Sequence, residues 1–170
     1  MEKNVYNAFP IDPYGLSKNI ISRKIHSLGR DNIYNLRLFG CFNYDEEPTR
    51  FIKNSIMNIQ NNIPIEIHQN KWMDFFYLDD MACIIEDIIR YSPKVFNVNL
   101  VYKEKIDLLN VACLIYSACN INNGIIKINN PKLGNSYTGS SELLYKYFTQ
   151  TYMFKNLEGG IEETCQKLLN

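Results

Sequence analysis

The sequence predicts an α/β fold. Helical and extended patterns alternate at short intervals along the chain, and no internal repeat or low-complexity tract interrupts them. The chain has 170 residues, 46 % of them apolar, enough to furnish the core of one compact domain.

The elements follow from local signals. Residues 1–12 read as irregular. Pro13 opens a helix, where its fixed φ and missing N–H do no harm, and the pattern runs over 14–27 before Gly29 stops it. Leu16, Ile20, Ile21, Ile25 and Leu28 form its helically spaced apolar stripe. Residues 33–39 read as a strand and 40–48 as a turn-rich loop. Thr49 is the expected cap of a helix of about a dozen residues. Residues 63–68 alternate like a half-buried strand, and 74–78 form a second extended run. Asp79 or Asp80 then starts a helix reaching Tyr91, its carboxylates favourably placed at the positive end; capping outweighs a metal pair here. A strand over 96–99, an apolar helix over 106–119, a strand over 125–128 and helices over 141–148 and 157–169 complete the chain. Tyr145, Tyr147, Phe148, Tyr152 and Phe154 read as packing for these last helices.

Composition narrows the function classes. Eighteen basic and eighteen acidic residues leave no net charge, which argues against a nucleic-acid binder. No apolar run approaches the roughly 20 residues that span a bilayer, and the first residues are not of signal-peptide type, so no membrane partner is expected. The five cysteines are odd in number and lack paired spacing, so free buried thiols in a reducing cytoplasm are expected. With two histidines, four convergent zinc ligands are not in sight, and no metal is expected. His68 reads as an exposed loop histidine at a strand end, and Trp72 as partly buried at a domain edge.

One pair of residues carries chemistry. Tyr14 and Lys18 lie four apart on the first helix, which brings phenol and ammonium onto one face, one turn apart. A phenol near its reference pKa of about 10 is a poor base at neutral pH, and a neighbouring cation favours the phenolate. A tyrosine so tuned can pass a proton to or from a hydroxyl or carbonyl while hydride moves to a cofactor. Twelve tyrosines and thirteen lysines in 170 residues give roughly one such pair by accident, so the spacing alone is weak.

The surrounding segments are more specific. Asp12-Pro13-Tyr14-Gly15-Leu16-Ser17-Lys18, Asn35-Leu36-Arg37-Leu38-Phe39-Gly40-Cys41-Phe42, Met73-Asp74-Phe75-Phe76-Tyr77-Leu78-Asp79-Asp80-Met81-Ala82 and Phe96-Asn97-Val98-Asn99 occur in this order. Together with Asn135-Ser136-Tyr137-Thr138-Gly139 and Glu158-Gly159-Gly160-Ile161, they resemble the extended short-chain dehydrogenase/reductase family of NAD-dependent nucleotide-sugar epimerases and dehydratases. The resemblance covers about residues 10–165 and implies the carboxy-terminal part of a Rossmann-like, doubly wound fold plus a small α/β substrate domain. It implies that residues 1–48 belong to the dinucleotide domain and 49–170 mainly to the nucleotide-sugar domain, with 74–99 returning to the Rossmann part.

The same resemblance implies roles. Tyr14 is the expected acid/base, and Lys18 the residue that holds the nicotinamide ribose and tunes Tyr14. Phe39, Gly40 and Cys41 are expected to face the nicotinamide of NAD or NADP. Arg50, Asn54, Lys71 and Tyr137 are expected to bind a nucleotide-diphosphate sugar. Met73 stands where many members carry an arginine that meets the diphosphate; a thioether does not replace that charge, and Arg50, Lys53 or Lys71 would have to supply it. The Ser/Thr that usually joins Tyr and Lys is not matched, since Ser17 lies inside the pair. No G-x-G-x-x-G occurs in the 170 residues, so the pyrophosphate cradle at a helix N-terminus is expected from a separate amino-terminal half. Alternatives remain: a non-catalytic nucleotide-sugar module, or an assembly role in which the apolar face of residues 16–28 joins a homo-oligomer.

Overall fold

The computed structural model describes residues 10–30, 32–148 and 153–169; the expected irregular start through residue 9 and Tyr152 lie outside them. The elements are α1 (Pro13–Leu28), β1 (Asn35–Leu38), β2 (Cys41–Phe42), α2 (Phe51–Gln60), β3 (Ile65–Gln69), β4 (Phe76–Tyr77), α3 (Leu78–Tyr91), β5 (Asn97–Leu100), α4 (Leu108–Ala118), β6 (Ile126–Asn130), α5 (Glu142–Tyr147) and α6 (Asn156–Leu169). The strands pair in parallel as β1 with β5, β2 with β4 and β3 with β6. Each parallel partner is reached through a crossover, which is the α/β arrangement the alternating pattern predicts.

Two hydrophobic clusters fill the interior. One gathers α2, β3, α4 and α6 around Ile56, Ile65, Val111, Ile115 and Ile161. The other gathers α3, β5 and α5 around Ile84, Val98, Leu100, Leu144 and Phe148. Strand β4 and the residue before it lie between them: Phe75 and Tyr77 belong to the first cluster and Phe76 to the second. The alternation of side chains along an extended strand makes this division. Leu157, near the start of α6, packs against both clusters.

Several local expectations are corrected. The 40–48 segment contains β2, whose pairing to β4 is set by residues 35 positions away rather than by a local signal. The residue at the cap of α2 is Arg50, not Thr49, and it makes no side-chain cap bond. Asp79 and Asp80 sit in the first turn of α3 as expected, but the N-cap is Tyr77 and neither carboxylate caps that helix. The Asp80 carboxylate is buried and accepts from Tyr102 Oη at 2.5 Å, Lys155 N at 3.0 Å and Asn156 N at 3.3 Å, so it serves the start of α6 instead. The cysteines are free, but they are not uniformly buried: Cys113 is exposed, Cys41, Cys83 and Cys119 are half-buried, and Cys165 is buried. Among the described residues, no helix is long and apolar enough to cross a membrane.

Candidate active site

Asp12 sets the start of α1. Its carboxylate accepts from Gly15 N at 2.7 Å, while Pro13 supplies the first helical residue. Gly15 is needed by this cap, because a Cβ there would fall 2.7 Å from Asp12 Oδ2 and 2.8 Å from Pro10 Cβ. Tyr14 follows the cap and is 70 % exposed. One turn on, Lys18 Nζ lies 5.2 Å from the centre of the Tyr14 ring, so phenol and ammonium share a face as the spacing predicts. Ser17 Oγ donates to Tyr14 O at 2.7 Å and is occupied within its own helix.

The face of α1 that packs inward is polar. Asn19 and Ser22 are its buried residues, whereas Leu16, Ile20, Ile21 and Leu28 are exposed. Arg23 Nε donates to Asn19 Oδ1 at 2.6 Å. Asn35 Nδ2, on β1, donates to Ser22 Oγ at 3.1 Å and to Asn97 Oδ1 of β5 at 3.0 Å. This hydrogen-bonded seam fastens the Tyr14 helix to the β1–β5 pair. Hydrophobic periodicity pointed to the opposite face of the helix.

The stretch after β1 is enclosed. Gly40 is buried, accepts from Phe76 N at 2.7 Å, and has Asp74 O and Phe75 Cδ1 only 3.1 Å from where a Cβ would stand. Phe39 meets the Tyr137 ring edge-on at 5.0 Å between centres, and a Cβ at Gly139 would fall 2.7 Å from the Phe39 ring. The structure therefore brings together Phe39, expected at the nicotinamide, and Tyr137, expected at the nucleotide sugar. Cys41 is half-buried; desolvation, with Glu46 adding to it, pushes its thiol above the ordinary value.

Two buried polar links that sequence reasoning missed hold the 137–140 segment in place. Asp74, 4 % exposed, receives Lys105 Nζ at 2.9 Å on both oxygens and Gly139 N at 2.7 Å. Asn99 Nδ2 donates to Ser140 O at 3.1 Å, while Arg37 Nε donates to Asn99 Oδ1 at 2.7 Å. Asp74 lies in the 73–82 segment that carries part of the resemblance, but its partners are 31 and 65 positions away and leave no periodic trace.

The other expected sugar-site residues make separate local contacts. Arg50 is exposed and lies 3.9 Å from Glu46. Asn54 is exposed and accepts from Asn58 at 3.3 Å. Lys71 is half-buried, and its carbonyl accepts from Leu108 N at 3.1 Å. Lys53 donates to the Glu46 carbonyl at 2.7 Å. His68 is exposed as expected but lies within β3 rather than in a loop, and Trp72 is 38 % exposed. Among the described residues, no three of His, Cys, Asp and Glu converge as metal ligands.

A model of the NAD dependent epimerase/dehydratase family matches residues 2–99, more than half of the chain. The chain belongs to this family. No curated protein matches it. Solved structures of epimerases and dehydratases share its fold. UDP-glucuronic acid 4-epimerase from Bacillus cereus, in complex with NAD, is 16 % identical over 98 % of this chain, with a TM-score of 0.66. The dTDP-glucose 4,6-dehydratase from Bacillus anthracis str. Ames, also with NAD, is 16 % identical over 98 % of this chain at 0.70. UDP-N-acetylglucosamine 4-epimerase from Bacillus cereus is 17 % identical over the full chain at 0.70. This epimerase/dehydratase family chain spans only 58 %, 56 % and 60 % of those three chains, respectively.

Proposed function

We propose that this chain supplies the acid–base helix and the sugar-facing residues of an NAD(P)-dependent nucleotide-sugar epimerase, dehydratase or reductase. The observation that carries the reading is the Tyr14–Lys18 juxtaposition, 5.2 Å from ammonium to ring centre, on an exposed face of a helix fastened to β1. Within this reading, residues 1–48 and 74–99 form the dinucleotide side, and the rest of 49–170 forms the sugar side. Five free thiols support work in a reducing compartment such as the cytoplasm.

The residues present fit one end of the dinucleotide. An ammonium and a phenol on one face suit the ribose hydroxyls and the proton transfer beside a nicotinamide. No Gly-rich turn in the 170 residues suits the pyrophosphate. When bound, the nicotinamide would accept or return the hydride at a sugar carbon. Tyr14 Oη would take or give the proton of the sugar oxygen, and Lys18 would hold the ribose hydroxyls of the nicotinamide end. Phe39, Gly40 and Cys41 would wall the nicotinamide, with Tyr137, Arg50, Asn54 and Lys71 on the nucleotide sugar. A side chain at Gly40 would press on Asp74 O and the Phe75 ring, each 3.1 Å from where its Cβ would stand.

Calorimetric titration with UDP-, GDP- and dTDP-sugars, with and without NADH, tests the proposal. Nucleotide-sugar binding that tightens with NADH supports it, and binding indifferent to the dinucleotide favours a non-catalytic module. Where turnover is measurable, Tyr14→Phe is expected to lower kcat by roughly 10²–10⁴-fold with little change in sugar affinity; an unchanged kcat removes Tyr14 from the chemistry.

The exposed face of α1 favours a second reading, association. Ile20 and Ile21 are 56 % and 52 % exposed beside Leu16 and Leu28, a contiguous apolar stripe of the kind that joins copies or partners.

A further inference from the structure

The structure assigns Cys119 and Cys165 as a reversible dithiol site, oxidised by a peroxide to a disulfide that ties the end of α4 to α6. The two Sγ atoms lie 3.5 Å apart, a hydrogen-bonded thiol pair joining positions 46 apart in sequence. Both flanking elements hold them there. Cys119 is the C-cap of α4, its N–H bonded to Ile115 O. Cys165 lies on the buried face of α6 with Gly160, Ile161 and Thr164. Cys119 packs against the same apolar cluster that includes Cys165, and the 3.5 Å between the sulfurs leaves about 1.5 Å to a bond of about 2.05 Å.

The two sulfurs differ in the way a stepwise oxidation needs. Cys119 is half-buried and reachable, whereas Cys165 is buried. Cys119, the more accessible of the two, is the sulfur a peroxide meets first; the hydrogen bond between the thiols lowers Cys119 below its ordinary value, while that bond and burial raise Cys165. The Cys119 thiolate attacks the peroxide oxygen and gives a sulfenic acid and hydroxide. Cys165 then attacks Cys119 Sγ, its proton leaving with the displaced hydroxide as water. In balance, two thiols and one hydrogen peroxide give one disulfide and two waters, and a dithiol reductant reverses it.

The closed ring would contain β6, α5 and the 137–140 segment with Tyr137. Oxidation would therefore restrain in one ring the part of the chain that packs on Phe39 and Asn99. The chemistry of the ring does not depend on the proposed hydride transfer, and its test uses no substrate.

The full chain is treated with a modest excess of hydrogen peroxide, alkylated, digested without reductant and mapped by mass spectrometry, alongside a Cys113→Ser variant that lacks the most exposed thiol. The expected product is a Cys119–Cys165 linked peptide, lighter by two hydrogen atoms, with three of the five thiols still titratable. The apparent Tm is expected to rise by roughly 10 °C, as for a loop of this length, and to return on reduction. Cys119→Ser and Cys165→Ser are each expected to abolish the linkage and the shift. Recovery of Cys119 as sulfinic acid with Cys165 still alkylatable, or linkage of other cysteines in its place, overturns the assignment.

Discussion

Asp80 shows how much one side chain can hold. It has no exposed surface, and it accepts from the Tyr102 hydroxyl and from two backbone N–H groups at the start of α6, 75 and 76 positions away. Truncation strands the buried Tyr102 hydroxyl and takes the acceptor from two part-buried backbone N–H groups, and hydrogen bonds to charged groups are each worth about 1.5–3 kcal/mol. Asp80→Ala is therefore expected to cost at least about 3 kcal/mol in urea unfolding, against well under 1 kcal/mol for Glu66→Ala on the exposed side of β3. Glu163 gives the residue scale its pH dependence. Hydrogen bonds from the Lys155 ammonium and, second, the Lys167 ammonium at 2.7 Å hold its carboxyl down to about 2. A carboxylate depressed in the folded state stabilises fully above its unfolded value near 4.5 and loses that contribution as pH falls towards 2. Glu46 acts in the opposite sense: desolvation raises its carboxyl, so protonation through its raised value favours the folded chain. Stability is expected to fall between pH 4.5 and 2, and Glu163→Gln to flatten that fall; an unchanged acid limb would show that the ion pairs contribute nothing.

At the scale of elements, α1 separates what the sequence reveals from what it conceals. Its existence and ends were legible, since Pro13 and Gly29 punctuate it and the backbone follows, with Gly29 at φ 57° as the left-handed cap. Its orientation was not legible. Periodicity marks where apolar residues recur, but which face packs depends on the partner, and here the partner offers Asn35 and Asn97. The inward face is accordingly Asn19 and Ser22. Ile20→Lys with Ile21→Glu is therefore expected to leave the denaturation midpoint nearly unchanged, within about 0.5 kcal/mol, while reducing any self-association seen by light scattering. Ser22→Val, a smaller change in polarity on paper, is expected to cost about 1–3 kcal/mol by leaving one of the two Asn35 amide N–H groups without its acceptor, the other still bonding Asn97. The site was legible to a similar degree. Tyr14 and Lys18 meet because four residues make one turn, whereas the Asp74–Lys105 and Asn99–Ser140 links arise from chain segments that meet only after folding.

At the scale of the molecule, α6 closes the structure on the first cluster. Gly160 lets it approach: a Cβ there would fall 2.8 Å from Tyr77 Cγ and 2.9 Å from Phe42 Cζ, both fully enclosed rings. Gly160→Ala raises helix propensity but overpacks that contact, and a net loss of about 1–3 kcal/mol is expected in thermal or urea unfolding. A stabilised variant would show that α6 can ride outward at no cost.

The strand formed by Phe76 and Tyr77, with Phe75 before it, acts as a party wall whose consecutive bricks face different rooms. Inserting or deleting one residue just upstream would turn each ring into the wrong room, leaving two misfilled interiors from a single change in length. Length variation among relatives is thus expected in the exposed turns at 61–63 and 120–124, and not across 73–78, where the count of residues is itself part of the packing.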